Sequence, residues 1–311
     1  MNEFDFIDKY FKPLTNELAG NLKNDAAIFN QNSSLDLIIS TDTLAEGVHF
    51  FGDEDPVDIA KKSLRVNLSD MAAMGAKPIF YNLSLSIPKD KAQQFIPKFA
   101  KGLQDDQKIF DIKLIGGDLT SSIKHINITI TIFGNTSRGK SIPRDGAQIG
   151  DWLYVSGILG LSKIGLDNIN SSLKEFQEAK NKYLLPKPRI DLGVSLKNIA
   201  NSMIDISDGL IQDSTHLARN SKLSVELNLS KIPVPNLNNI DKKQILNSAL
   251  YGGDDYELLF SCDPVHEKFL KKLSSKINLK LTKIGVFKEL KKDFLYFKNN
   301  LTKPKESYLH F

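Results

Sequence analysis

The run Leu35-Asp36-Leu37-Ile38-Ile39 leads straight into Ser40-Thr41-Asp42-Thr43. A short apolar run rich in branched residues reads as a strand. It delivers two hydroxyls and a carboxylate to one place. Such donors suit a hard cation such as Mg²⁺, which takes oxygen ligands and usually shares them with phosphate. They equally suit a turn capped by Ser and Asp. Recurrence narrows the choice. Asp25, Asp42, Asp70, Asp118, Asp205 and Asp208 each stand at the end of a predicted element or in a Gly- or Ser-bearing turn. Singly, each is a cap or a turn residue. Together they constrain the fold, because two carboxylates at about 4 Å repel by roughly 4 kcal/mol at an effective dielectric near 20. A chain that gathers them needs cations, and Mg²⁺ usually brings a polyphosphate with it.

Composition bounds the setting. The 311 residues suffice for two ordinary domains. With 41% hydrophobic and 25% charged residues the chain has the profile of a soluble globular protein. Its 41 basic and 37 acidic residues are too evenly balanced for a nucleic-acid face. No apolar run approaches the roughly 20 residues that span a bilayer. The start Met1-Asn2-Glu3-Phe4-Asp5 lacks the basic and apolar parts of a signal peptide. The lone Cys262 excludes an intrachain disulfide and a Cys-based metal site. A cytoplasmic location is the expectation.

Residues 2–12 carry Phe4, Ile7, Tyr10 and Phe11 at helical spacing, with Pro13 after them. Strands are expected at 26–29 and 35–39, a helix from Pro56 to Met74, a strand from Pro78 to Ile87, a helix at 90–106 and a strand at 112–115 ending in Gly116-Gly117-Asp118. On the first of these helices Asn67, Asp70 and Met74 share one face. The stretch 126–133 alternates branched residues with Asn and Thr, so one side of that strand is wet or faces a partner. A domain boundary falls in the Gly-, Ser-, Arg- and Pro-rich residues 134–150, giving domains 1–138 and 139–311. Beyond it, strands are expected at 151–156, 224–229, 256–260 and 279–287, and Met203 to Leu210 reads as a strand that turns into a helix. Helices are expected near 159–167, 172–183, 189–200, 209–219, 241–249 and 264–276. This reads as two α+β domains, not one doubly wound sheet.

Gly134-Asn135-Thr136-Ser137-Arg138-Gly139-Lys140-Ser141 matches the phosphate-loop pattern letter for letter. That loop needs a helix next, whose N-terminal amides complete the cradle. Ile142-Pro143-Arg144-Asp145-Gly146 has no helical period and is rich in turn formers, so the match is set aside. Arg144 is either a fork for a phosphate or a solvated loop arginine. His49 is a turn residue or a ligand, and Tyr308 is a flat face for an aromatic cation or a side chain packed on the core.

The segments Ser40–Phe50, Val66–Ala76, Gly116–Thr120, Asp205–Leu210 and Gly252–Leu258, in that order, resemble the thiamine-monophosphate kinase family. Its wider superfamily includes aminoimidazole ribonucleotide synthetase, selenophosphate synthetase and a hydrogenase-maturation protein. The resemblance implies transfer of the γ-phosphoryl group of ATP to thiamine monophosphate. It implies a homodimer whose N-terminal sheets join into a barrel, and a C-terminal α/β sandwich domain. By position it places Asp25, Ser40, Thr41, Asp42, Asp70, Asp118, Asp205 and Asp208 on Mg²⁺. It places Gly117, Asp118, Arg144 and Ser207 on ATP, and His49, Asp254 and Tyr308 on the thiamine phosphate. Three departures stand out. Lys23-Asn24-Asp25-Ala26 replaces Gly-Asp-Asp-Ala, Asp254 stands where the family has Glu, and Ser307 stands where it has Gly. A sister ATP-dependent enzyme of the superfamily and a non-catalytic nucleotide sensor are the alternatives. Selenophosphate synthetase is disfavoured, since its reactive Cys or selenocysteine lies near the N-terminus and Cys262 does not.

Overall fold

The structure is a computed structural model that describes residue 24, residues 27–30 and residues 34–298, with only the backbone course for 27–30. The expected helix at 2–12, Asp25 and Tyr308 lie outside the described residues.

The first sheet has the order β1-β2-β5-β3-β4. Its strands are β1 (Ala27–Asn30), β2 (Leu35–Ala45), β3 (Lys77–Pro88), β4 (Lys113–Ser122) and β5 (Asn127–Ser137). All neighbours are antiparallel except β3 and β4. That parallel pair needs a crossover, which the helix α2 (Lys89–Phe110) supplies. The alternation expected in β5 is realised. Ile128, Ile130 and Ile132 are fully buried beneath the helical layer. Thr129 and Thr131 turn the other way and bond across the ladder to Thr43 (2.8 Å) and Thr41 (2.9 Å).

Two strands run further than the sequence suggests. β2 does not stop at Ile39, and Gly116-Gly117-Asp118 lies inside β4. Thr at alternate positions fits a pleated surface as well as Val does, and the Thr–Thr bonds carry β2 through Ser40 and Asp42. These residues therefore project from the middle of a strand, not from its end. At 134–141 the expectation holds: Gly134 to Ser137 finish β5, a turn follows, and no helix succeeds it.

The second sheet has the order β11-β8-β10-β6-β9-β7. Its strands are β6 (Trp152–Ser156), β7 (Ala200–Asp205), β8 (Ser224–Leu227), β9 (Leu258–Cys262), β10 (Leu281–Lys288) and β11 (Leu295–Phe297). The three-residue β11, parallel to β8, has no counterpart in the sequence reading. One face packs on α6 (Leu210–Asn220) and α7 (Lys242–Tyr251). The other packs on α5 (Ile190–Ser195) and α8 (Glu267–Lys276).

The helix α1 (Pro56–Ala73) belongs to both layers. Asp55 caps it by accepting from Val57 N at 3.0 Å, and Pro56 opens it. Ile59, Leu64, Leu68 and Met71 pack on the first sheet. Ala72 and Ala73 pack with Leu192, Leu196 and Met203 of the second unit. The approach there is backbone to backbone. A Cβ on Gly193 would stand 2.0 Å from the Ala72 carbonyl, so no side chain fits.

Two acidic groups brace the second unit from inside. Glu257 is buried and meets Arg189 through two bonds (2.6 and 2.7 Å), Lys182 (2.7 Å) and Ser156 (2.6 Å). Burial alone would raise its carboxyl, but the Lys182 and Arg189 cations outweigh this and hold it low. Asp255, also buried, accepts from Gly160 N (2.6 Å) and Ser162 N (3.4 Å). Burial pushes this carboxyl up to about 7, against the pull of Lys182. A carboxyl protonated in the fold but ionised in the unfolded chain favours the fold at acid pH. That contribution drains away as pH rises from about 4 to about 7. In Asp255→Asn this drain is absent. Urea melts of both proteins across that window should show the variant gaining on the parent as pH rises. A difference independent of pH would contradict the assignment.

Candidate active site

Between the two units lies a cleft of about 520 Å³. Ser40, Thr41, Asp42, Asp70, Asp205, Ser207, Asp208 and Arg144 line it, together with Asn24, His49, Asp254, Tyr183 and Tyr256. The topology explains the convergence. Even-numbered residues of β2 point toward α1, so Ser40 and Asp42 face the helix and not the Thr-lined side. α1 answers with consecutive turns. Asp70 accepts from the Ser40 hydroxyl at 2.5 Å, and Asn67 Oδ1 accepts from Asp42 N at 3.2 Å. Met74, expected on the same face, is fully buried in the core, as Asn67 is.

The second unit enters through two loops. Asp205 closes β7 and accepts from the Ser69 hydroxyl at 2.6 Å. Ser207 and Asp208 follow on the turn into α6, where Gln212 Nε2 donates to Asp208 at 2.9 Å. The stretch 252–257 is zipped to that turn by Asp254 N to Ser207 O (2.9 Å), Tyr256 N to Ile206 O (2.8 Å) and Ile206 N to Glu257 O (2.8 Å). The approach demands glycine, since a Cβ on Gly253 would stand 2.3 Å from the Ser207 carbonyl. Asp254 (φ +65°) and Tyr256 (φ +48°) are held left-handed, a costly conformation that clusters at working sites. β9 consequently starts at Leu258, two residues later than the sequence suggests.

The electrostatics are those of crowded carboxylates. Asp213, fully buried on α6, accepts from Asp208 N at 3.3 Å. Burial raises its carboxyl well above the usual range, and the charges of Asp208 and Asp205 add to the effect. Its sequence signal is the fixed step from Asp205 and Asp208 into the helix, which the motif reading passed over. Burial and then the Asp254 carboxylate raise Tyr183 and Tyr256, so both phenols stay neutral donors. Arg144 sits near Asp213, whose carboxyl its charge pulls down, and its backbone N–H is held by Asn24 Oδ1 at 3.1 Å. The Asn24 amide thus anchors the Arg144 loop.

All described acidic and hydroxyl candidates except Asp118 line this cleft, although the Thr41 hydroxyl turns to Thr131 on the other face of the sheet. Gly117 and Asp118 lie on β4, the exposed sheet edge, and do not line it. Among the described residues no three His, Cys, Asp or Glu side chains form a ready-made metal cluster. The donors are nonetheless all oxygen, as Mg²⁺ requires. Serine hydroxyls orient two of the carboxylates, Ser40 that of Asp70 and Ser69 that of Asp205.

The comparisons agree with this architecture. Residues 23–136 match the family described as AIR synthase related protein, N-terminal domain, and residues 148–298 match its C-terminal domain. The thiamine-monophosphate kinase of Haemophilus influenzae is 38% identical over 303 residues, covering 94% of this chain and 92% of that protein. A solved structure of AaThiL complexed with AMPPCP and TMP superposes with a TM-score of 0.87 at 29% identity, covering 100% of this chain and 97% of the other. The thiamine-monophosphate kinase of Stenotrophomonas maltophilia K279a superposes with a TM-score of 0.82 at 31% identity, covering 96% and 98%. With both domain families matched across most of its length and relatives this similar, the chain belongs to the thiamine-monophosphate kinase family.

Proposed function

We propose that this protein transfers the γ-phosphoryl group of ATP to the phosphate of thiamine monophosphate, giving thiamine diphosphate. The observation that carries the reading is one cleft in which Asp42, Asp70, Asp205 and Asp208 face Arg144 and Ser207. The relative solved with AMPPCP, an ATP analogue, and TMP supports both substrates.

Phosphoryl transfer asks little covalent chemistry of a protein; it asks for in-line positioning and charge neutralisation. A phosphate oxygen is already a nucleophile at neutral pH, so the chain needs no general base. Ser40, Thr41, Asp42, Asp70, Asp205 and Asp208 are the residues that would hold Mg²⁺, joined by Asp25. When bound, Mg²⁺ neutralises the triphosphate and the charge that develops on transfer. Arg144 forks onto a phosphate, and Ser207 donates to the nucleotide. His49, Asp254, Tyr183 and Tyr256 form the acceptor end, where the two neutral phenols donate to the His49 carbonyl and to Asp254 and so shape the place for the rings of thiamine, with Tyr308 assigned to the same end. Converting Asp42 to Asn removes one charge with little change of shape. Turnover should fall by about 10²–10³, read as thiamine diphosphate formed in a coupled assay. Activity within a few-fold of the parent would remove Asp42 from the metal site, and a parent that forms no product would remove the function.

The protein acts as a homodimer in this reading, with a cytoplasmic setting. β4 is an unpaired sheet edge, exposed along its length, and carries Leu114, Ile115 and Leu119 in the open, with Ile123 just beyond. Such an edge is a template for pairing with another chain. Docking of a second copy there covers the apolar row and brings Gly117 and Asp118 into a shared site. Leu119→Glu should shift the mass in light scattering from dimer to monomer and lower kcat. A parent that is monomeric at micromolar concentration would contradict the dimer.

A further inference from the structure

Lys62 lies on α1, facing the acceptor end of the cleft from behind. Its side chain is only 4% exposed, and it does not line the cleft itself. Its ammonium sits in a cage drawn from both units. Nζ donates to the His49 carbonyl at 3.1 Å and to Asp254 Oδ2 at 3.2 Å, and lies 3.6 Å from the centre of the Tyr183 ring. The Tyr183 hydroxyl donates to the same His49 carbonyl at 3.2 Å, and the Tyr256 hydroxyl donates to Asp254 Oδ1 at 3.2 Å. His49, Tyr183, Asp254 and Tyr256 all line the cleft. One buried cation thus touches three of the acceptor-end groups and acts on the fourth through Asp254.

Burying an ammonium is costly unless charge and hydrogen bonds compensate it. A plain packing position on α1 would be met by Leu or Met. The Asp254 carboxylate, a carbonyl and an aromatic face together make the compensation here. The consequence falls on Asp254. Each of its oxygens is engaged once, so each keeps one lone pair for a donor in the cleft. Its charge is matched, and its left-handed backbone is pinned from the side chain as well as from Ser207.

We infer that Lys62 is a positioning residue for the acceptor: it aligns Asp254 and the His49 loop across the domain seam and thereby sets affinity for thiamine monophosphate, leaving the nucleotide end untouched. This rests on the acceptor proposed above. The Lys62 ammonium itself makes no contact with Asp42, Asp70, Asp205, Asp208 or Arg144.

Steady-state kinetics of the parent, Lys62→Met, Asp254→Asn and the double variant test the inference, with calorimetric binding of AMPPCP and Mg²⁺ reporting on the fold. Lys62→Met should raise the acceptor KM at least tenfold while the KM for ATP and AMPPCP binding stay within twofold. In the Asp254→Asn background the same change should add less than threefold, because the two act through one contact. Lys62→Arg, which keeps the charge, should recover part of the loss. An unchanged acceptor KM in a folded, active variant overturns the inference alone. So do additive effects, or a rise of both KM values together. Loss of AMPPCP binding in both Lys62→Met and Lys62→Arg assigns the residue to the core and overturns it likewise. A parent that forms no thiamine diphosphate overturns the function and this inference with it.

Discussion

Two adjacent residues of one helix hold the site together. Ser69 donates to Asp205 of the second unit, and Asp70 accepts from Ser40 of the first sheet. Neighbouring positions on a helix point about 100° apart, so α1 must lie in the seam for both bonds to form. The packing puts it there: large apolar residues meet the first sheet, and Ala72 and Ala73 meet the second unit at a distance that only Gly193 permits. The cleft therefore depends on a helix with one bulky face and one small one. The hydroxyl bonds are secondary in energy, worth about 1.5–3 kcal/mol each when the acceptor is charged, but they fix which way each carboxylate points.

The site has two ends with different physics. At one, Asp42, Asp70, Asp205 and Asp208 crowd into one cleft, and Ser40, Ser69 and Gln212 donate to three of them, an arrangement that favours added positive charge. Asp213, pushed up by burial and by its acidic neighbours, shows how strongly negative charge is disfavoured beneath it. At the other end charge is already balanced. Lys62 matches Asp254, and two phenols remain neutral beside it. A triphosphate with its metal suits the first end, and an aromatic acceptor suits the second.

Much of this was legible in the sequence, and the gaps have physical causes. The alternation of Ile and Thr in 127–132 named the buried and open faces of β5, because a period of two leaves no freedom. Pro56 and Gly75 marked the α1 boundaries, while the Asp55 cap is seen only in the structure. Strand ends were misjudged at Ser40–Asp42 and Gly116–Asp118, since polar residues that usually end strands are kept in the ladder by Thr–Thr pairs and by neighbours from distant parts of the chain. The acidic cluster was visible as a list of aspartates but not as a place. Lys62 gave no signal at all: a lysine on an amphipathic helix reads as solvated, and only the folded seam shows it buried over Tyr183. Asp118 is the opposite case, a motif residue that a single copy of the chain leaves outside the cleft.

The decisive measurement is an anomalous-scattering map from crystals grown with Mn²⁺ and AMPPCP. Metal peaks between the nucleotide phosphates and the carboxylates of Asp42, Asp70 and Asp208 are the predicted result. Nucleotide bound away from this cleft, or phosphates held there by side chains with no metal peak beside any of these aspartates, would contradict it.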